Sequence, residues 1–239
     1  LSRSAGVTPL RGGNIDITAS SIVTGGGDLL IGGAYTQHIS MDGTFNTTGG
    51  FGNEDGLMSI VAIDESAINS TTNPFGNGII EIGANGTADL QAAGISILAR
   101  DVFFSDGTAP NAVTIEATGD SSSERLNTEL GLTGDLGDET IATVGTVSIE
   151  GRRLVTFHEN TQVTADTVNI VAAADPSQIS EAERTGADAL TRLRFEGTGG
   201  ANVSDGVRLN GDTISISVGD GVTASDGLAF EATDDMGTP

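Results

Sequence analysis

Pairs of apolar residues separated by a single residue recur along the whole chain, and this alternation constrains the fold more than any other feature. Successive side chains of a strand point to opposite faces, so such a pattern places one face in a core and the other in solvent. The intervening residues include Asp16, Glu81, Ser96 and Thr114, which suit a solvated face. The apolar pairs are Ile15/Ile17, Leu29/Ile31, Val61/Ile63, Ile80/Ile82, Ile95/Ile97, Val113/Ile115, Val147/Ile149, Val168/Ile170, Leu193/Phe195, Ile214/Ile216 and Leu228/Phe230, with further pairs at Val102/Phe104, Val155/Phe157 and Val207/Leu209.

The spacing of these pairs predicts a repeat architecture. They recur about every 21 residues on average, which is within the period of roughly 20–50 residues that marks stacked repeats. We therefore predict an all-β fold, a right-handed parallel β-helix (β-solenoid) with roughly 20 residues per coil and about ten coils. Parallel coils of this kind stack at about 4.8 Å.

The alternation breaks in two places and stops near the C-terminal end. Residues 1–232 are predicted to form one β-solenoid domain with short helical or loop insertions near 120–140 and 175–192, and residues 233–239 a tail or linker. The second insertion is predicted to be helical, because Pro176 suits a first helical turn and Ile179, Ala182 and Ala189 have near-helical spacing.

Turn-forming dipeptides lie between the strands and leave one alternative open. Asp-Gly and Asn-Gly favour turns because these residues tolerate left-handed φ. Asp-Gly also marks antiparallel hairpins, so a β-sandwich is the alternative fold. The scarcity of aromatic residues favours the solenoid, since sandwiches usually have an aromatic core. The dipeptides begin at Asp42, Asp55, Asp106, Asp205, Asp220, Asp226, Asn77, Asn85 and Asn210.

The charge balance limits the partners that the chain can have. There are 33 acidic residues against ten basic ones, all arginine, which gives a net charge of −23. A surface of this charge repels nucleic acid and anionic membranes. No apolar run is long enough to span a membrane. The cysteine-free, lysine-free and acidic composition favours an extracellular or cell-surface location.

Few residues have the pattern of a catalytic or metal site. Stacked Asp-Gly turns could supply oxygen ligands to calcium. Asp205, Asp220 and Asp226 are therefore candidate calcium ligands, with plain turns as the alternative, and no other cofactor is expected.

The candidate acid/base residues are isolated from one another. Asp138–Glu139 and Asp234–Asp235 are adjacent carboxylates in Gly-rich or unpatterned segments. His158 precedes Glu159, but no motif of a known catalytic class accompanies it. The sequence predicts that the chain is not an enzyme.

The segment GNIDITASSIVTGGGDLLIGGAY, residues 13–35, resembles coils of filamentous-haemagglutinin-type exoproteins, which leave the cell by two-partner secretion. The shared features are Gly-x-Ile-x-Ile-x-Ala at 13–19 and Gly-Gly-x-Leu-x-Ile-Gly-Gly at 26–33. The resemblance implies a three-sided right-handed β-helix, surface display, adhesion and a biofilm or matrix role. The start of that family's secretion domain is not recognisable in this chain.

These observations favour a structural function. The chain is expected to be a subunit or segment of a surface fibre, matrix or adhesin. Because the ends of a solenoid present unpaired strand edges, head-to-tail self-association is expected, alongside contacts with glycans or a neighbouring cell surface. The alternatives are a carbohydrate-binding or carbohydrate-processing β-helix of tailspike or lyase type, and a passive stalk.

Overall fold

The computed structural model of the protein describes residues 8–10, 13–49, 55–68, 76–106, 110–119, 142–172, 193–196, 206–218, 222–224 and 228–231. These residues form β-strands and one short 3-10 helix, η1 (Glu65–Ala67). The strands are β1 (Thr8–Leu10), β2 (Asn14–Val23), β3 (Leu29–Gly33), β4 (His38–Asn46), β5 (Leu57–Ala62), β6 (Ile79–Ile82), β7 (Ala88–Ala92), β8 (Gly94–Phe104), β9 (Val113–Ala117), β10 (Thr146–His158), β11 (Thr161–Thr164), β12 (Thr167–Ala172), β13 (Leu193–Glu196), β14 (Val207–Asn210), β15 (Thr213–Val218), β16 (Val222–Ala224) and β17 (Leu228–Glu231).

The strands pair in three parallel ladders, which form the three faces of a β-helix. Face 1 consists of β1, β3, β5, the first halves of β8 and β10, β12 and β15. Face 2 consists of the first parts of β2 and β4, β6, the second halves of β8 and β10, β13 and β16. Face 3 consists of the second parts of β2 and β4, β7, β9, β11, β14 and β17.

The parallel β-helix predicted from the sequence is confirmed, and the β-sandwich is excluded because every pairing among the described strands is parallel. The shortest coil also has the expected length, since Val147 aligns with Val168, 21 residues later. Longer coils differ only in the connections between strands: Ile95 aligns with Val147 across 52 residues.

The described strands make seven coils, so the estimate of about ten was wrong. The reason is that a single coil contributes apolar pairs from more than one face, so the number of pairs exceeds the number of coils. Ile95/Ile97 on face 1 and Val113/Ile115 on face 3, for example, belong to the same turn of the helix. The predicted insertions near 120–140 and 175–192, including the predicted helix, and the tail 233–239 lie outside the described residues.

Inward-facing side chains form columns that run along the axis. On face 1 isoleucine occupies one column in each of the six coils after the first, and five of these six residues are buried: Ile31, Ile60, Ile97, Ile149 and Ile170. Burying a side chain of this size stabilises the fold by about 1.5–3 kcal/mol. These columns join into one continuous core that spans all three faces.

The prediction is wrong for one apolar pair, which lies on the side of its strand that faces away from the main core. Val61 and Ile63 do not enter the main core; they pack with Ala34 and Leu98 in a separate cluster. Met58 and Ile60 occupy the inward positions instead. In the segment 57–63 both the odd-numbered and the even-numbered residues are apolar, apart from a single serine. Alternation alone therefore does not show which of the two sets of side chains faces inward.

A buried ion pair covers the corner between faces 1 and 2. Asp101 is only 2 % exposed, and Arg153 from the next coil donates to both of its carboxylate oxygens, Nε to Oδ1 at 2.7 Å and a terminal nitrogen to Oδ2 at 2.5 Å. Arg100 lies 3.7 Å from the same carboxylate. The pair therefore joins β8 to β10 by charge as well as by the ladder.

The predicted Asp-Gly and Asn-Gly turns that fall wholly on described residues lie at corners between faces and not in hairpins. Asp42 and Gly43 lie inside β4, where the chain passes from face 2 to face 3, and Gly43 has φ 109°. Asp42 Oδ1 accepts a hydrogen bond from the backbone of Asn85 in the next coil, at 3.1 Å. The corners are thus hydrogen-bonded along the axis as the strands are.

Candidate functional site

The core is not sealed at the last described coil. Ile216 in β15 continues the isoleucine column of face 1, yet its side chain is 37 % exposed, whereas Ile170, on which it stacks, is fully buried. Its neighbours Ile214 and Val218 are only partly buried. Apolar surface that belongs to the core therefore faces solvent at this end.

The first coil shows a weaker form of the same feature. Ile15 and Ile22 in β2 are partly buried, whereas their partners one coil on, Ile39 and Phe45, are fully buried. Both ends of the described stack therefore expose part of the core.

The strands of the end coils are edge strands within the described part of the chain. β15, β16 and β17 pair only with the preceding coil, and β1 and β2 only with the following one. Unpaired strand edges are templates for further pairing. β1 contains Pro9, which lacks an amide hydrogen and is tolerated in an edge strand.

A shallow groove of about 300 Å³ crosses the outside of face 3 in three consecutive coils. Thr114, Gln162 and Arg208 lie in register on β9, β11 and β14, each at the outward position between two inward apolar residues. The groove is lined by Ala112, Val113, Thr114, Asn160, Thr161, Gln162, Gly206 and Arg208.

The polar groups of this groove make few bonds to the protein. Gln162 makes one long contact, from Nε2 to Thr164 Oγ1 at 3.4 Å. The Arg208 guanidinium has no hydrogen-bond or ion-pair partner in the described structure, whereas Arg100, Arg152 and Arg153 each lie within 4 Å of a carboxylate. The groove thus offers donors and acceptors that the fold does not use.

The predicted calcium ligands cannot be placed. Asp205, Asp220 and Asp226 lie outside the described residues. Among the residues that are described, no group of three or more histidine, aspartate or glutamate side chains could hold a metal ion.

The predicted acid/base candidates are not brought together. Asp138–Glu139 and Asp234–Asp235 lie outside the described residues. His158 is the last residue of β10, and Glu159 beside it is buried. A different pair, which the sequence did not indicate, joins His38 Nε2 to Glu81 Oε2 at 3.0 Å across two coils on the outside of face 2.

One carboxylate on face 3 is in an unfavourable environment. Burial raises the pKa of Asp89 above its ordinary value of 3.8. Its Oδ1 atom is buried without a hydrogen-bond partner. The charged form of Asp89 is therefore destabilised by the fold.

Sequence reasoning missed the groove because its three outward residues lie far apart in the chain. The sequence nevertheless contains a signal for the groove, because each outward residue is the middle one of a strand triplet. The flanking residues are Val113/Ile115, Thr161/Val163 and Val207/Leu209, and all of them are apolar except Thr161. Aligning these triplets would have placed Thr114, Gln162 and Arg208 together. The alignment needs the number of strands per coil, which the sequence did not supply.

Within the described residues, the chain has no helix with the length and apolar character that crossing a membrane requires. No protein-family model, curated protein or solved structure matches the chain.

Proposed function

We propose that the protein is a structural component of an extracellular or cell-surface fibre, matrix or adhesin, and that its coil stack is continued end to end by a second copy. The observation that carries the proposal is the exposure of Ile216, an inward-column residue of the last described coil. Seven coils give a rod about 34 Å long at about 4.8 Å per coil. Enzymatic activity is not part of the proposal.

The columns of the two ends are chemically compatible. If a second copy continued each ladder in its existing register, Leu10 of that copy would take the register position next to Ile216, Ile15 the one next to Val222, and Ile22 the one next to Phe230. Each of these positions pairs two residues of apolar type. Burying them would remove apolar surface from water at about 25 cal/mol per Å².

The edge strands differ in how well they can pair. β2 has ten residues and presents a long edge on faces 2 and 3. β1 has three residues and contains Pro9, so face 1 supplies fewer donors. Pairing of β16 and β17 with β2 of the next copy would therefore provide most of the backbone hydrogen bonds.

The experiment is a concentration series by sedimentation velocity and light scattering, with negative-stain microscopy of the concentrated sample. The wild-type mass should rise with concentration and rods should appear. Ile216→Asp should remain monomeric, because a charge at this position cannot be buried in the junction. Ile68→Asp is the matched control: Ile68 is 41 % exposed, lies in the third coil and should leave assembly unchanged. A folded wild-type chain that stays monomeric at its highest concentration would contradict the proposal.

The location and the family resemblance belong to the same proposal. The acidic, cysteine-free composition and the likeness of residues 13–35 to filamentous-haemagglutinin-type coils support surface display. Antibody labelling of intact cells of the source organism tests it, and label that appears only after the cells are opened would contradict it.

Carbohydrate binding is a second candidate function, favoured by the groove on face 3. Its lining offers hydroxyl, amide and guanidinium groups that the fold leaves unused. Such groups are the usual partners of sugar hydroxyls. This candidate concerns the flank of the rod and does not depend on end-to-end stacking.

A further inference from the structure

The groove on face 3 has an uncommon electrostatic character for this protein. The chain carries 33 acidic and ten basic residues, yet none of the described residues that line the groove is acidic, and Arg208 is the one charged residue among them. No carboxylate of the described structure forms an ion pair with the Arg208 guanidinium.

Arg208 is held by its strand but not by a partner. Its neighbours in β14, Val207 and Leu209, are buried in the core, which fixes the backbone of Arg208 on the outside of face 3. The side chain is half-buried and makes no hydrogen bond or ion pair within the described structure. A guanidinium has five N–H donors in a planar fork that matches a carboxylate in two-point geometry.

The groups beside Arg208 are neutral and polar. Gln162 lies directly next to it in the ladder, and Thr114 lies one coil further. The side chains of Thr114 and Asn160 form no hydrogen bond with the described structure. An amide and a hydroxyl in line with a guanidinium can bind hydroxyl groups beside a carboxylate.

We propose that this groove binds an acidic oligosaccharide, with Arg208 pairing a sugar carboxylate and Gln162 and Thr114 bonding the hydroxyls of neighbouring units. The proposal names the ligand class of the second candidate function and rests on it, but not on assembly. A net charge of −23 opposes unspecific adsorption of acidic polymers, so binding must come from a local site. Most glycosidases hydrolyse with a pair of carboxyl groups. None of the described residues that line the groove is acidic, so the proposal is one of binding and not of hydrolysis.

The test is calorimetric titration of the intact chain with α-1,4-linked oligogalacturonate, with uncharged galactose oligomers of equal length and with oligoglutamate. Oligogalacturonate should bind at least tenfold more tightly than either of the other two. Arg208→Gln should weaken oligogalacturonate binding at least tenfold and leave binding of the neutral oligomer unchanged. Arg152→Gln, a substitution at the corner between faces 1 and 2, should bind as the wild type does. Thr114→Val should weaken binding without removing the preference for the charged sugar.

Each other result overturns the inference in a distinguishable way. Equal binding of neutral and acidic oligomers would keep carbohydrate binding but remove the role of Arg208. Equal binding of oligoglutamate would show a general carboxylate site instead of a saccharide site. No binding of either sugar would remove both the inference and the second candidate function. Should Arg208→Gln fail to fold by circular dichroism, Arg208→Lys serves in its place, since it retains the charge but loses the two-point geometry and should still weaken binding.

Discussion

The rings of Phe104 and Phe157 lie one above the other in consecutive coils, with centroids 4.7 Å apart and planes inclined by 10°. The two residues are aligned in the ladder of face 2, and the ring separation matches the spacing of neighbouring strands, about 4.7–4.9 Å. The stacking is therefore imposed by the strand register. Phe195 occupies the next register position of the same column.

We expect Phe157→Ala to lower the free energy of unfolding by about 3–5 kcal/mol, because it removes a fully buried ring and leaves a cavity between two coils. Phe103→Ala is the matched control. Phe103 precedes Phe104 in β8 but faces outward and is only partly buried, so its loss should cost clearly less. Urea denaturation followed by circular dichroism measures both. Equal losses would mean that the columns do not carry the stability of the fold.

Replacing only one partner of the Asp101–Arg153 pair should lower the free energy of unfolding strongly. Arg153→Met leaves a carboxylate that is 2 % exposed without its main partner, and we expect a loss of about 3–5 kcal/mol. The double variant Asp101→Leu, Arg153→Met should recover part of that loss because no charge is left buried. Arg208→Met, which breaks no ion pair of the described structure, should change stability little. A double variant as unstable as Arg153→Met alone would argue that packing, not charge, makes this corner stable.

Gly94→Ala should destabilise the protein strongly. A Cβ atom at Gly94 would lie 1.9 Å from the backbone oxygen of Thr143, so the segment before β10 would have to move away from β8. Gly13→Ala is the control, since a Cβ atom there meets nothing within 4 Å and its φ is not in the left-handed region. The control should be neutral or gain up to about 1 kcal/mol through the unfolded chain. Thermal melts of the two variants decide the matter, and similar melting temperatures would contradict the close approach.

The raised pKa of Asp89 predicts that the stability of the protein depends on pH in a specific way. Burial raises its pKa above 3.8, so the folded state binds this proton more tightly than the unfolded state does. The stability that the protonated form contributes is fully present below pH 3.8 and is lost as the pH rises through the raised folded value. Asp89→Asn, which cannot ionise, should therefore melt at a higher temperature than the wild type at pH 7, and the difference should shrink below pH 3.8.

The control for Asp89 is Asp16→Asn, which removes the same unit of charge at an exposed position of β2. It corrects for the general benefit of lowering a net charge of −23. Calorimetric melting temperatures across the acidic range compare the two. If Asp89→Asn gains no more than Asp16→Asn at pH 7, the environment of Asp89 is not unfavourable.

The sequence was sufficient for the fold class because the apolar alternation is strong in most strands. Pairs such as Ile80/Ile82 and Val168/Ile170 face inward as predicted. It was insufficient where a strand is apolar on both sides, as at Val61, and where several strands share one coil. Which side of a strand faces the core, and which strands belong to one coil, depend on contacts between residues distant in the chain. A local sequence pattern does not contain this information.

The candidate sites were less predictable than the fold. Exposure of Ile216 depends on its being the last described member of a column, a fact about the stack and not about its neighbours in sequence. Arg208 becomes notable only beside Gln162 and Thr114, which the ladder brings together. The open strand edges were expected from the architecture, since every solenoid ends in unpaired strands.

The connection from face 3 to face 1 contains two residues in one coil and 28 residues in the coil before it. Ala165 and Asp166 join β11 to β12, whereas residues 118–145 join β9 to β10, and the ladders keep their alignment on both sides. Loop-closure entropy grows slowly with length, so such an increase costs only roughly 2 kcal/mol. The length of a connection therefore does not change the spacing of the coils along the axis. Foreign peptides grafted between β11 and β12 should be displayed on the rod without changing its pitch.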